Sequence, residues 1–283
     1  MGTKVILEWD FTPPTFFEEE WSFPFETCDV KVTAGKIEAL DAAEHDADPT
    51  IRARLDGELH GRFLGGQLIN SEPYKLSRGA TIRLHPDGRR DVSVLLKSGV
   101  FAVASIGSID FLRTDSAGNV LEDTKRARID ERKALAARIA SARLADHALN
   151  AAVQSYEASL REPEVSLVRL YEIKDAICNA LGGTKAACAA LGLGEGYWDR
   201  LHELCNNMPL KQGRHLGSKR IDDRRDATED ELREARAIAR MMIEKYLKYM
   251  NANTRVAPNY DVGNATTSGL TVPAMTHARR PRL

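Results

Sequence analysis

The pattern of apolar and polar positions divides the chain at about residue 125. Before that point apolar residues alternate with polar ones, which is typical of strands that bury one face. Three stretches combine this alternation with turn residues, and each predicts a β-hairpin: residues 28–42, 80–96 and 108–124. The front part of the chain is therefore expected to form an antiparallel sheet.

Residues 49–70 interrupt this pattern and favour neither helix nor strand. Leu55, Leu59 and Phe63 recur at helical spacing, but four glycines oppose a stable helix, namely Gly57, Gly61, Gly65 and Gly66. The first three glycines have the spacing of a membrane-helix packing motif. They stand among charged residues, however, which argues against a membrane role.

Beyond residue 125 the apolar spacing changes to the 3.6-residue period of amphipathic helices. The clearest helix begins near Thr228, which forms a capping-box pattern with Glu231. The predicted fold class is therefore α+β. An N-terminal antiparallel β-rich domain (1–125) precedes a C-terminal all-α helical bundle (126–250), and an extended or disordered tail follows (251–283).

Composition and charge restrict the function further. Among the 283 residues, 40 Lys and Arg nearly balance 41 Asp and Glu, so any basic site must be local. The sequence has no apolar run of about 20 residues and no signal-peptide pattern, and we expect a cytoplasmic protein without membrane contact. The four cysteines form no CxxC pair and are expected to be reduced core thiols, and no cofactor or metal is predicted.

The strongest functional candidate is the connector between the last two helical patterns, residues 206–225. It gathers six cations, and arginine side chains bind phosphate well. His215 can move a proton near neutral pH, so Arg214 and His215 are the candidate catalytic pair. The candidate nucleic-acid-binding residues are Asn206, Asn207, Lys211, Lys219, Arg220, Arg224 and Arg225. The alternative is a solvated loop whose arginines pair with Asp222, Asp223 and the acidic start of the last helix.

Two further segments have both a functional and a structural interpretation. Residues 182–207 have the pattern of a helix-turn-helix, a unit that reads DNA with its second helix. That helix carries three carboxylates against one arginine and one histidine, so a packing role is favoured over DNA docking. The strip FTPPTFFEEEWSFPF (residues 11–25) is suited to docking on a partner, but we expect it to cover the edge of its own sheet.

Motifs that define a reaction are absent from the sequence. It contains no dinucleotide-binding, P-loop, nucleophile-elbow or zinc-site pattern. The sequence therefore does not decide whether the protein is an enzyme.

The chain resembles a family of uncharacterised bacterial two-part proteins in four stretches: PYKLSRGATIRLHPDGRRDVSV, LVRLYEIKDAICNALGG, LGLGEGYWDRLHELCNNMPLKQGRHLG and DATEDELREARAIARMMIEKYLKYM. The helical half more weakly resembles HEPN domains. Many HEPN domains cut RNA as dimers, with an Arg and a His a few residues apart. The helical half lacks this motif, whereas Arg54 and His60 have a matching separation in the front half.

The connector and the HEPN resemblance together predict an RNA-binding or ribonuclease-like protein. The resemblance implies a bacterial toxin or an anti-phage defence component. One alternative is a non-catalytic interaction or structural subunit of a larger assembly, which contacts a protein partner through residues 251–283. A second alternative is a helix-turn-helix DNA-binding protein. The expected partners are RNA, a protein bound by the tail and a second copy of the chain.

Overall fold

The computed structural model of the chain describes residues 3–93, 112–114, 120–214 and 224–254. Within these ranges an antiparallel sheet is followed by a helical region, which confirms the predicted α+β class. The strands are β1 (Lys4–Thr12), β2 (Trp21–Phe25), β3 (Cys28–Thr33), β4 (Lys36–Leu40), β5 (Lys75–Leu84), β6 (Arg90–Ser93), β7 (Leu112–Thr114) and β8 (Val120–Asp123). The helices are α1 (Ala43–Ala47), α2 (Pro49–Asn70), α3 (Thr124–Ala145), α4 (His147–Arg161), α5 (Ser166–Leu181), α6 (Thr184–Leu191), α7 (Glu195–His202) and α8 (Glu229–Thr254).

The main sheet contains two of the three predicted hairpins. Among the described residues its strands lie in the order β2-β3-β4-β1-β5-β6, and neighbouring strands are antiparallel. Two of the predicted hairpins are β3–β4 and β5–β6, and the third is the separate pair β7–β8. The turn at residues 115–119 and the end of the second hairpin prediction, residues 94–96, lie outside the described residues.

The aromatic and acidic strip at residues 11–25 lies at the edge of its own sheet, as expected, but as a strand of that sheet. Its last part is itself the edge strand β2. Phe16 and Phe17 pack instead on Phe63 of α2, with ring centroids 5.0 Å away in both cases. The strip therefore joins the sheet to helix α2.

Residues 49–70 form one helix, α2, despite their glycines. Asp48 caps the helix because its side chain accepts a 2.7 Å hydrogen bond from the Thr50 amide, and Pro49 fits the first turn. A Cβ on Gly65 would stand only 2.5 Å from the Cα of Ala136 in α3. Glycine therefore allows a close contact between the two helices, which offsets its low helix propensity.

Helix α2 contributes to two hydrophobic cores. Its first half places Leu55, Leu59 and Phe63 in the core under the sheet. Its second half places Leu64 and Leu68 in the core of the helical region. The front and back parts of the chain therefore share one helix.

Helix α8 begins as the sequence predicts. The hydroxyl of Thr228 accepts a hydrogen bond from the Glu231 amide at 3.2 Å, and the Glu231 carboxylate accepts one from the Thr228 amide at 2.8 Å. The helix continues to Thr254, slightly past the predicted start of the tail, and residues 255–283 lie outside the described residues. Within the described ranges, no helix has the length and apolar character needed to cross a membrane.

The four cysteines are free thiols, as predicted. Cys28, Cys178 and Cys205 are buried, and Cys188 is partly buried. Burial raises the pKa of Cys28 to about 11 and that of Cys205 to about 12. These two thiols therefore stay protonated and poorly nucleophilic near neutral pH.

Candidate functional site

The connector leaves the helical bundle and returns to it at one place. The amide of Lys211 donates to the Arg225 carbonyl at 3.0 Å, and the amide of Arg225 donates to the Pro209 carbonyl at 3.1 Å. These bonds form a parallel bridge that ties the two ends of the connector together. The residues between the ends, 215–223, lie outside the described part of the chain and include the predicted site residues His215, Lys219 and Arg220.

Arg214 and Lys211 are engaged with carboxylates. Arg214 forms an ion pair with Asp175 of α5 at 2.6 Å, and Lys211 forms one with Asp226 at 2.9 Å. The hydrogen bond and charge of Lys211 lower the pKa of Asp226. Both cations are exposed, so each pair is screened by solvent and can exchange its carboxylate for another anion.

Arg225 is also paired, and Arg224 is partly buried with contacts of its own. The guanidinium of Arg225 lies 2.5 Å from the carboxylate of Glu231, and this hydrogen bond is the main reason why the pKa of Glu231 falls to about 2. Glu231 belongs to the acidic start of α8, so this pair matches the solvated-loop alternative predicted for the connector.

The two asparagines of the connector lie in different environments. A π-helical turn (Glu203–Asn207) follows α7 and places Asn206 in the interior, whereas Asn207 is exposed. The Asn206 amide nitrogen lies 2.9 Å from Nδ1 of His202, and the hydroxyl of Tyr171 lies 2.9 Å from the same nitrogen. The other side-chain atom of Asn206, Oδ1, is buried without a hydrogen-bond partner among the described residues. Single π-helical turns are frequent at functional sites.

These contacts define a polar group that we call the Tyr171 cluster: Tyr171, Lys174, His202, Asn206 and Arg214. Two cations flank the ring of Tyr171, with the Lys174 ammonium and the Arg214 guanidinium each 5.1 Å from its centroid. Lys174 is buried and donates a long bond of 3.4 Å to the Trp198 carbonyl. The structure thus brings two predicted site residues, Asn206 and Arg214, together with three residues that sequence reasoning missed.

The predicted helix-turn-helix is present as α6 and α7. Trp198 and Leu201 of α7 are fully buried and serve packing. The one arginine of α7, Arg200, forms 2.7 Å ion pairs with Glu203 and Glu234. The exposed surface of α7 therefore presents carboxylates, and this charge opposes docking on DNA phosphates.

A groove between α3 and α8 is the second candidate site. It consists of two adjoining hollows of about 230 and 520 Å³, which share Arg240 and Glu244. Both helices line the first hollow, which also has an apolar part formed by Ile69, Leu135 and Leu247. We call the two hollows together the α3–α8 groove.

The second hollow adds neutral hydrogen-bonding groups to the groove. Ser71, at the end of α2, and Tyr156, on α4, both line it. Their hydroxyl oxygens lie 2.9 Å apart. Tyr156 is buried and Ser71 is partly exposed, so a ligand in this hollow meets the Ser71 hydroxyl beside the charged residues of α8.

More cations than carboxylates line the α3–α8 groove, in a chain whose net charge is only -1. Seven cations and three carboxylates line it. The cations are Arg128, Arg132, Arg138, Arg233, Arg236, Arg240 and Lys248, and the carboxylates are Glu131, Glu229 and Glu244.

The cations of the groove differ in how far they are already paired. Arg240 forms an ion pair with Glu244 at 2.6 Å. Arg138 and Lys248 are exposed, and within the described ranges neither has a carboxylate partner; Arg138 only reaches a carbonyl of its own helix, at 3.4 Å. These two side chains therefore offer the charge that is most available to a ligand.

The sequence contains one signal that points to this groove. Helix α3 carries seven basic residues and two acidic ones, Asp130 and Glu131, so its net charge is +5. The other wall of the groove comes from α8, about a hundred residues later in the chain. Only the fold brings the two walls together, whereas the connector concentrates its cations in one stretch of sequence.

Comparisons of the chain with models of protein families, with curated proteins and with solved structures gave no match. The function is therefore inferred from the residues of this chain.

Proposed function

We propose that the protein binds RNA through the α3–α8 groove. The observation that supports this most directly is the excess of seven cations over three carboxylates along the groove. Guanidinium groups donate paired hydrogen bonds to phosphate oxygens, and a cleft with charge of one sign attracts polyanions. Proteins that bind single strands use such positively charged grooves to follow the backbone.

The shape of the groove fits a single strand. Arg233 and Lys248 are about 22 Å apart along the axis of α8, at 1.5 Å per residue, so several phosphates can lie between them. Duplex RNA is recognised across a wide surface, which a hollow between two helices does not provide. The hydroxyl of Ser71, which is partly exposed, can exchange hydrogen bonds with a ribose 2′-hydroxyl, a group that DNA lacks.

The test measures binding of a fluorescein-labelled single-stranded RNA by anisotropy over a series of salt concentrations. The groove variant is Arg138→Ala/Lys248→Ala. Loss of two phosphate contacts is expected to weaken binding and to reduce the slope of log affinity against log salt by about 1.4. The matched control is Lys4→Ala/Arg89→Ala, which removes two exposed cations, one from β1 and one from the β5–β6 turn, and should leave the slope unchanged.

Three outcomes would contradict parts of this proposal. If the wild-type protein binds no RNA at low salt, the RNA-binding function is wrong. Equal binding of single-stranded DNA would remove the argument from the 2′-hydroxyl. If Lys211→Ala/Arg214→Ala reduces the slope and the groove variant does not, the RNA site is the connector instead of the groove.

RNA cleavage is a second candidate function, favoured by the position of His202 in the Tyr171 cluster. The imidazole contacts Tyr171 and Asn206, and Arg214 lies over the same tyrosine ring. Metal-independent cleavage needs a group that moves a proton and a cation that stabilises the phosphorane charge, roles that His202 and Arg214 can fill. Cleavage of end-labelled RNA should then disappear in His202→Ala while RNA retention persists. If the wild-type protein leaves the RNA intact, only binding remains.

The interaction-subunit alternative is favoured by the β7–β8 hairpin. Its side chains Leu112, Val120 and Leu121 are 66%, 59% and 57% exposed. Large apolar side chains that face water are frequent on surfaces that bind another protein. Size-exclusion chromatography with light scattering tests this directly. Self-association that Leu112→Ser/Leu121→Ser abolishes would support it, and an unchanged monomer would contradict a homo-oligomer.

A further inference from the structure

The segment before β2 is fixed on the helices by its aromatic residues. Phe16 stacks on Phe63 of α2, with the ring planes 17° apart, and Phe17 meets the same ring edge-on. The side-chain amide of Asn70 donates to the Phe16 carbonyl at 3.3 Å. The three glutamates that follow, Glu18 to Glu20, therefore start from a fixed point beside α3.

Two of these glutamates contact the basic side chains of α3. The carboxylate of Glu18 forms ion pairs with both Arg128 and Arg132. Glu19 forms longer pairs with Arg126 at 3.4 Å and Lys133 at 3.6 Å.

Glu20 differs from its two neighbours. It faces the sheet, where its carboxylate lies 3.9 Å from Lys31 of β3. The chain thus offers a matched control for the two glutamates that contact α3.

The partners of Glu18 also line the α3–α8 groove. Arg128 and Arg132 stand one helical turn apart, and both guanidiniums converge on the same oxygen, Oε1 of Glu18. Two guanidiniums directed at one anionic oxygen are also the arrangement that binds a phosphate oxygen. Glu18 itself lines the neighbouring hollow with Phe16 and Lys133, and Arg132 lines both hollows. The Glu18 carboxylate and a phosphate in the groove therefore compete for the same two guanidiniums.

We propose that Arg128 and Arg132 form a phosphate subsite of the groove and that Glu18 competes for these two arginines from the neighbouring hollow. This inference rests on the proposed RNA-binding function and adds its regulation. A phosphate of the RNA backbone displaces the carboxylate, and the two arginines then exchange one anion for another. Because Glu18 and both arginines are partly exposed, salt weakens the internal pair as well as the RNA contact.

The experiment compares full-length Glu18→Gln and Glu20→Gln in the anisotropy assay with single-stranded RNA. Each substitution removes one negative charge and nearly preserves side-chain shape. Glu18→Gln is expected to bind RNA about three- to tenfold more tightly at low salt, because two exposed ion pairs no longer compete with the phosphate. Glu20→Gln should change the affinity less than twofold, and Glu19→Gln should lie between them.

A triple variant tests whether the gain in RNA affinity depends on Arg128 and Arg132. Glu18→Gln/Arg128→Ala/Arg132→Ala is expected to lose the gain and to bind more weakly than the wild type. Thermal unfolding of each variant verifies that the helical core is intact. If Glu18→Gln does not fold, Glu18→Asp is the second test, because its shorter side chain should release the two arginines in part.

The outcomes separate this inference from the function on which it rests. If the wild type binds RNA and Glu18→Gln binds it no more tightly, the competitor role is wrong and the RNA-binding function stands. If Glu20→Gln gains as much RNA affinity as Glu18→Gln, the gain comes from the change in net charge alone, and the proposed subsite is wrong. If neither the wild type nor Glu18→Gln binds RNA, both proposals fail together.

Discussion

A Cβ on Gly61 of α2 would stand 2.6 Å from the Cα of Ala140 in α3. Gly65 has the same relation to Ala136, one helical turn away. Real Cβ atoms do not approach backbone atoms this closely, so α2 and α3 pack through their backbones along this line. The glycine spacing that resembles a membrane motif in the sequence is therefore a packing surface between these helices.

We expect Gly61→Ala to destabilise the protein by about 1–3 kcal/mol, because the added methyl group forces the helices apart. Gly57→Ala is the matched control on the same helix. A Cβ there would lie 4.0 Å from the Arg143 side chain, an ordinary contact. This variant should be stabilised by about 0.5–1 kcal/mol, since alanine favours the helix. Urea unfolding of both variants measures the difference, and a Gly61→Ala protein as stable as the wild type would contradict the close contact.

A second prediction concerns acid stability and His60 of α2. Nδ1 of His60 lies 2.9 Å from the hydroxyl of buried Tyr74. Burial lowers the pKa of His60, and nearby Arg143 and Arg161 lower it further, while Glu157 opposes them. The unfolded chain therefore binds this proton more readily than the folded chain. The contribution of His60 to the free energy of unfolding is complete above its unfolded pKa of about 6.5. This contribution is lost as the pH falls toward the pKa of His60 in the folded protein.

Urea unfolding at pH 7.5 and pH 5 tests this prediction. The wild type should lose stability between these values, and His60→Gln should lose less. At pH 7.5 the free energy of unfolding of His60→Gln is expected to be about 1 kcal/mol lower, because the hydrogen bond to Tyr74 is lost. His147→Gln, at an exposed position, is the control and should behave as the wild type. An identical loss in wild type and His60→Gln would exclude His60 as the cause.

A third prediction concerns Tyr246 of α8, whose hydroxyl donates to the carboxylate of Asp146 at 3.2 Å. The same carboxylate caps α4 by accepting from the Leu149 amide at 2.7 Å. Tyr246→Phe should therefore lower the free energy of unfolding by about 1 kcal/mol. Asp146→Ala should lower it by about 2 kcal/mol, because it also removes the helix cap.

The pKa of Tyr246 also predicts that the protein loses stability at alkaline pH. Burial and the neighbouring carboxylate of Asp146 raise the pKa of Tyr246 to about 12. The stability contribution is therefore present below pH of about 10 and is lost as pH rises through the folded value. Tyr246→Phe should show a smaller alkaline decrease than the wild type, since the buried thiols Cys28 and Cys205 still contribute to it. Tyr249→Phe, a partly buried neighbour on the same helix, should show the full decrease. Thermal unfolding between pH of about 8 and pH of about 12 distinguishes the two variants.

Local patterns were sufficient to predict much of the fold. The hairpins follow from alternation and turn residues, and the start of α8 follows from the Thr228 and Glu231 pair. Helix α2 could not be assigned because its glycines oppose a helix locally. Their compensation is the contact with Ala136 and Ala140, which lie about 70 residues further along the chain.

The candidate site was predictable only in part, for the same reason. Asn206 and Arg214 could be selected because they stand within a short run of polar and basic residues. His202 and Tyr171 have no such local signal, since they lie on different helices and meet only in the fold. For the groove, the charge of α3 marks one wall, and only the fold adds the other. The competition between Glu18 and a phosphate joins residues more than a hundred positions apart, so sequence spacing does not reveal it.

Because α2 belongs to both cores, the sheet and the helical bundle are expected to unfold as one cooperative unit. A fragment that ends after β8 would leave Leu64 and Leu68 facing water, and a fragment that begins at α3 would lack those two side chains from its own core. Neither half is therefore a separable module, and ligands of the bundle should also protect the sheet against denaturation.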